Sequence, residues 1–273
     1  MKIAFSTIPV LDKSCEEVAA IASKLGYDAV EIRGDNDALG LFGLPLSESK
    51  RIKEIFDGYG VAISDIAAGI ALSYMDEELV QKLKLNLDAA KILGANGVRV
   101  FLGTFRKKFT DESKYCYADI VTMLKAAATH AEAVGVEIWI EMHNEFCTGS
   151  VLKKLLSDVG SPSVKVIWDI IHPLEADESP EETLEYVGDS IAHVHIKDGY
   201  KKADAELVNY YYTKLGEGTL PIEYIIKQLL ERGYDGYFSL EWESKWKSEI
   251  ENAYDTPEAA LAAYTNFLKK LSL

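Results

Sequence analysis

"AAKILGANGVRVFLG", residues 89–103, carries two periodicities joined at a glycine. The residues ahead of Gly94 have helical spacing, and those after Asn96 form a β-branched run. Gly94 stands where a helix stops. The same phrase returns in "HAEAVGVEIWIEMH" (130–143) and "LLERGYDGYFSLEWE" (229–243). The first helical stretch shows how each unit starts. Ser14 is placed to cap, Glu17 completes a capping box, and Val18, Ile21, Ala22 and Leu25 form an apolar stripe that Gly26 ends.

Working outward, strands are expected at 2–7, 29–33, 62–67, 97–102, 137–142, 164–170, 191–197 and 236–241, with helical stretches between them. Eight βα units spread evenly over 273 residues predict an α/β fold, a closed (β/α)8 TIM barrel forming a single domain over residues 1–273. An open doubly wound sheet is the competing architecture. No G-x-G-x-x-G follows an early strand, and no linker or low-complexity run marks a second domain, so the barrel is preferred.

The formal net charge of -15 makes a surface that repels phosphate backbones, which argues against a nucleic-acid partner. Cys15, Cys116 and Cys147 are odd in number and lack C-x-x-C spacing, so reduced thiols in a cytoplasmic protein are expected rather than disulfides or a zinc knuckle. No run of about 18 apolar residues predicts a membrane span, and the first residues lack the pattern of a cleaved signal.

In a (β/α)8 barrel the chemistry gathers at the C-terminal ends of the strands. Four consecutive strand ends carry metal-type ligands: Glu141 in "EIWIEMHNEF", Asp169 in "VKVIWDIIH", His195 in "HVHIKD" and Glu241 in "GYFSLEWE". A buried, unpaired carboxylate is costly, so a shared counter-charge is expected. A single divalent metal ion would supply it, and three carboxylates with one imidazole suit Mn2+, Mg2+ or Co2+ and also accept Zn2+ or Fe2+. His193, two residues deeper than His195 on the same strand face, is expected behind the ligands or in packing. Lys197 is placed either to meet a substrate oxygen or to pair with Asp198. Trp139, Trp168, Trp242 and Trp246 bracket the ligand positions as a flat wall for a sugar or as packing. Glu31 and Arg33 are expected to form a buried ion pair. The Tyr-rich stretch 201–218 exceeds an ordinary barrel loop and is read as a lid or subunit contact, or as an extra surface helix.

"GYDAVEIRG" (26–34), "LGANGVRVFLG" (93–103), "IEMHNEF" (140–146), "WDIIH" (168–172), "HVHIKD" (193–198), "LGEGTLP" (215–221) and "GYDGYFSLEWE" (233–243) occur in this order along the chain. Together they resemble the xylose isomerase-like superfamily of sugar phosphate isomerases and epimerases, which also includes inosose dehydratases, hydroxypyruvate isomerases and the endonuclease IV branch. The resemblance implies that Glu141, Asp169, His195 and Glu241 are the metal ligands, and that His172, in a D-x-x-H element, contacts substrate. It also implies that dimers or tetramers are common. The endonuclease branch is disfavoured, because no Asp-x-His pair precedes "GEG" and "RVFLGTF" offers no histidine. Cys147 stands where ketose 3-epimerases commonly carry a substrate-binding glutamate.

These readings predict a divalent-metal-dependent isomerase or epimerase of a small sugar or polyol-like carbonyl compound, working through an enediolate. Glu141 and Glu241 are the expected acid and base, with His172 and Lys197 holding substrate oxygens. The alternatives are a metal-dependent dehydratase of an inosose-like substrate and a non-catalytic sugar-binding barrel.

Overall fold

The computed structural model describes residues 1–33, 46–103, 115–202 and 210–271. In chain order the main elements are β1 (Lys2–Ser6), α1 (Cys15–Leu25), β2 (Ala29–Arg33), α2 (Leu46–Tyr59), β3 (Ala62–Leu72), α3 (Glu77–Leu93), β4 (Gly97–Leu102), α4 (Tyr117–Val134), β5 (Glu137–Glu141) and α5 (Gly149–Val159). Then follow β6 (Val164–Asp169), α6 (Ile171–Glu175), α7 (Pro180–Val187), β7 (Ile191–Ile196), β8 (Asp198–Lys201), β9 (Tyr210–Thr213), α8 (Ile222–Glu231), β10 (Tyr237–Leu240) and α9 (Pro257–Leu268).

Eight parallel strands close in the order β1-β10-β7-β6-β5-β4-β3-β2. The chain is therefore a single-domain (β/α)8 barrel, as the repeated phrase predicted. Ser14 and Glu17 form the expected capping box on α1. Gly94 and Gly135 end α3 and α4 at φ 74° and 72°, a left-handed turn that residues with a Cβ adopt at a cost. This sharp reversal delivers each following strand back into the barrel after one or two residues.

Alternation along the strands sorts the core into two parts. Val98, Val100, Ile138, Ile140, Val166, Val194 and Phe238 are buried within the apolar cluster shared with the helices. The alternate positions point into the lumen, where Glu31, Arg99, His193, His195 and Ser239 are all essentially inaccessible to solvent. An ionic lumen is expensive to build. Its side chains are therefore held by one another.

The long segment after β7 is a β-hairpin where it is described, rather than an extra helix. β8 and β9 pair antiparallel from Asp198↔Thr213 to Lys201↔Tyr210, and residues 203–209 lie outside the described part. Asp198 does not pair with Lys197. Its Oδ1 accepts the amides of Gly199 (2.8 Å) and Leu220 (3.3 Å), and its Oδ2 those of Gly216 (2.8 Å) and Gly218 (3.0 Å). A Cβ on Gly218 would come within 2.1 Å of Asp198 Oδ1, so glycine is needed for the loop to close on the carboxylate. One side chain thus clamps the "LGEGTLP" loop to the end of β7.

Candidate metal centre

Glu141 and Asp169 are the last residues of β5 and β6, His195 is next to last in β7, and Glu241 directly follows β10. Asp169 and His195 are register partners, and the Glu241 amide continues the ladder by donating to the Ile196 carbonyl at 3.1 Å. Parallel pairing at matched strand ends therefore stacks the four side chains at one level. One ligand atom from each lies within 4.8 Å of all the others, and each residue is at most 5% exposed.

Each of the four has a fixed partner on its far side. His195 Nε2 is 2.8 Å from Glu31 Oε2. Arg99 donates to Glu141 Oε2 at 2.8 Å and lies 3.9 Å from Glu241 Oε1. Asp169 accepts the Ile171 amide at 3.2 Å. Lys197 Nζ bridges Asp169 Oδ2 (2.6 Å), Glu241 Oε2 (2.5 Å) and Glu243 Oε1 (2.7 Å). His172 Nε2 lies 3.4 Å from Asp169 Oδ2, and its Nδ1 is 2.8 Å from Glu175.

The electrostatics follow from this packing. Burial works against ionisation of Glu141, but the Arg99 guanidinium holds its carboxyl down at about 2. Burial likewise opposes charge on Lys197, and Asp169, Glu241 and Glu243 overcome it to raise the ammonium well above its ordinary range. For His172 burial is again outweighed, by Asp169 and Glu175, and the imidazole rises to about 9. Asp169 moves upward, chiefly through burial.

A divalent metal fits this donor set on two observations. His195 Nδ1 is buried, has no hydrogen-bond partner, and faces Glu241 Oε2 at 3.4 Å and Glu141 Oε1 at 3.6 Å. With Nε2 turned to Glu31, Nδ1 is the nitrogen left to act as a ligand, in the carboxylate–histidine arrangement that orients metal-binding imidazoles. Moreover, the buried carboxylates Glu31, Glu141, Asp169 and Glu241 outnumber the permanent cations Arg99 and Lys197. A dication beside Nδ1 would restore the balance.

The layer beneath corrects one expectation. Glu31 does not pair with Arg33: its Oε2 is engaged by His195, by His193 Nε2 (3.3 Å) and by Ser239 Oγ (3.3 Å). His193 stacks on Trp139 with ring centroids 5.4 Å apart, and so lies behind the ligands. Asp65, also at this depth, is raised to about 6 by burial and then by the nearby Glu31 charge. The tryptophans divide. Trp139 and Trp168 are core packing and Trp242 packs edge-on against Tyr254, whereas Trp246 is half exposed.

Above the carboxylates lies a cavity of about 410 Å³ lined by Arg33, Arg99, Phe101, Glu141, His143, Glu241, Glu243, Trp246 and Lys247. His143 sits edge-on to His172, ring centroids 4.2 Å apart, and burial lowers its pKa to about 4; it was not singled out from the sequence. Arg99, Glu31, Glu175 and Glu243 were also missed as site residues. Arg99 and Glu31 had a readable signal, since each interrupts an apolar strand run, in "GVRVFLG" and "AVEIR".

A closed parallel barrel with acids and imidazoles converging at its C-terminal mouth defines a class of small-molecule site on a (β/α)8 scaffold. The model of the xylose isomerase-like TIM barrel family matches residues 19–271, and the chain belongs to that family. It is similar to fructoselysine 3-epimerase of Escherichia coli O157:H7, 23% identical over 242 residues, covering 84% of this chain and 85% of that protein. Among solved structures it resembles D-psicose 3-epimerase from Clostridium cellulolyticum H10, with a TM-score of 0.78, 18% identity and 99% of each chain covered. It also resembles a probable 3-DHS dehydratase from Bacillus anthracis, with a TM-score of 0.74, 20% identity, and 97% of this chain and 99% of that one covered. Sugar epimerases and isomerases, and dehydratases too, thus stand among its relatives. Among the described residues no helix is long and apolar enough to cross a membrane.

Proposed function

We propose that the chain is a divalent-metal-dependent isomerase or epimerase of a small sugar or polyhydroxy carbonyl compound, acting through an enediolate. The observation that carries this is the convergence of Glu141, Asp169, His195 and Glu241 on one point, with Glu141 and Glu241 also lining the cavity. Bound by those four residues, Mn2+, Mg2+, Co2+ or Zn2+ would polarise adjacent carbonyl and hydroxyl oxygens and stabilise charge as it develops.

The chain's own residues supply the remainder. Glu141 and Glu241 flank the reacting carbon, one taking its proton and the other returning it. Arg99, in contact with Glu141 and near Glu241, keeps both carboxylates oriented and ionised. His172 holds a substrate oxygen while anchored by Glu175, and Lys197 presents a cation to the same region. Low exposure of the whole group excludes water from the enediolate.

A second reading, a metal-dependent lyase, draws on the His143–His172 pair. Two imidazoles packed 4.2 Å apart beside the carboxylates could hand a proton to a departing hydroxide. Proton exchange separates these outcomes. In D2O, the metal-loaded protein is expected to exchange the proton on the carbon beside the carbonyl of a ketose, as seen by NMR, with epimer or aldose following. Loss of water from the substrate would instead favour the lyase. No exchange with any ketose, inosose or hydroxypyruvate, in the presence of bound metal, would overturn the enzyme reading in favour of a binding barrel.

A further inference from the structure

One buried phenol lacks what others in this chain have. The hydroxyls of Tyr27 and Tyr264 donate to backbone carbonyls, of Leu261 at 2.7 Å and of Phe238 at 3.0 Å. The Tyr212 hydroxyl is equally removed from water, in a residue only 3% exposed, and has no hydrogen-bond partner. An unmatched buried hydroxyl costs stability, so a fold that keeps one has a use for it.

The place of this phenol is built into the hairpin. Alternation along β9 turns Tyr210 and Tyr212 down onto the barrel and leaves Tyr211 facing out. Tyr212 pairs with Gly199, where a Cβ would come within 2.4 Å of the Tyr211 carbonyl oxygen, so the two strands close only over a glycine. The Tyr212 amide donates to Glu249 Oε1 at 3.3 Å. Because β8 starts one residue past Lys197, the hairpin carries the ring back to the mouth: Lys197 Nζ lies 5.6 Å from its centroid and Lys247 Nζ 4.2 Å. Glu243, which accepts from Lys197 at 2.7 Å, lines the cavity with Lys247, so Tyr212 stands next to that wall. Burial and then the Glu243 charge raise the phenol well above its ordinary range, and it keeps its proton to donate.

We infer that Tyr212 is a substrate-binding residue: its phenol donates to a hydroxyl oxygen of the substrate beyond the reacting carbons, and the flexible, partly exposed Lys247 side chain swings aside to admit it. This rests on the proposed carbonyl chemistry at the metal centre, and it adds the group that selects among polyhydroxy compounds. It accounts for the missing partner, since a donor reserved for a ligand stays unmatched until the ligand arrives. A site built to bond one substrate oxygen also rejects the analogue that lacks it.

Tyr212→Phe tests it, because the change removes the oxygen and keeps the ring beside the two lysines. Calorimetry on the metal-loaded protein with D-fructose and with scyllo-inosose is expected to show affinity for at least one of them falling by about 5- to 10-fold. Metal affinity, and proton exchange in D2O at saturating substrate, should stay within about twofold of the unmodified protein. Without either compound, the metal-loaded variant is expected to melt at a higher temperature, because an unmatched hydroxyl has gone. Deoxy analogues of the tighter-bound compound locate the contact: the one lacking the contacted hydroxyl should bind protein and variant alike. Unchanged affinity for both compounds, or a variant that melts lower, would overturn the inference while leaving the carbonyl chemistry standing. Weakened binding in a protein that exchanges no substrate proton would uphold the inference and remove the isomerase reading. Binding of neither compound to the unmodified protein would count against both.

Discussion

The two ends of this barrel both hold clefts, and the larger one is at the wrong end for chemistry. At the N-terminal end of the strands a cleft of about 560 Å³ is lined by Lys91, Asn96, Glu137, Lys165, Tyr234 and Asp235 among others, with its charged groups at or near the surface. At the C-terminal end a cavity of about 410 Å³ opens onto carboxylates, arginine and histidine removed from water. Trp139 separates the two, its indole N–H donating to Glu137 at 2.7 Å on one side and its ring stacked on His193 on the other. Volume follows from how loops close over a barrel, whereas buried charge must be compensated. The compensated end is therefore the one shaped by function.

That contrast can be broken most directly at the mouth. Glu141→Gln and Glu241→Gln keep the shape and remove the base, so substrate proton exchange should fall by about 10²- to 10⁴-fold in each. Retained exchange in both would remove them from the chemistry. Stripping metal with a chelator should lower the melting temperature, and restoring it at about 100 times its Kd should return about 2.7 kcal/mol. A melting curve indifferent to metal would sink the metal centre.

Two substitutions sharpen the comparison away from the reacting carbon. Asp198→Ala strips a carboxylate from four backbone amides and should cost about 2–3 kcal/mol in urea unfolding, well above an ordinary loop substitution. Glu31→Gln leaves an acceptor for His195 but removes the charge behind it, and should weaken metal binding by about 10- to 100-fold in calorimetry. An unchanged Kd would reduce Glu31 to packing. At the opposite end Lys165→Ala should move stability by no more than about 0.5 kcal/mol and leave exchange untouched. A large loss of exchange there would undo the contrast between the ends.

Much of this was readable in one dimension because a barrel repeats. The helix–glycine–strand phrase at Gly94 and Gly135 fixed the units, and the strand ends at Glu141, Asp169, His195 and Glu241 were found by asking where apolar runs break. Glu31 was legible only as an ion partner for Arg33, and Arg99 not as a site residue, because each sits deeper in its strand than the mouth. Their partners were not readable at all: Glu31 meets His195 across 164 residues, and Arg99 meets Glu141 across 42. Of the two expectations for Lys197, a substrate oxygen or its sequence neighbour Asp198, the pairing with Asp198 is not formed. In a strand, successive side chains face opposite sides, so Lys197 joined the lumen and Asp198 the loop.

What the sequence determined by itself is the periodic part: eight units, one closed barrel, and ligand-type residues at four neighbouring strand ends, all set by local alternation and turn chemistry. What only the tertiary structure decided is which charges pair. Closing the barrel brings distant strands to one level, and removal from water then makes each ion depend on the partner that closure supplies. That is why Glu31 serves His195 and not Arg33, and why Arg33 stands instead on Trp246 at the rim.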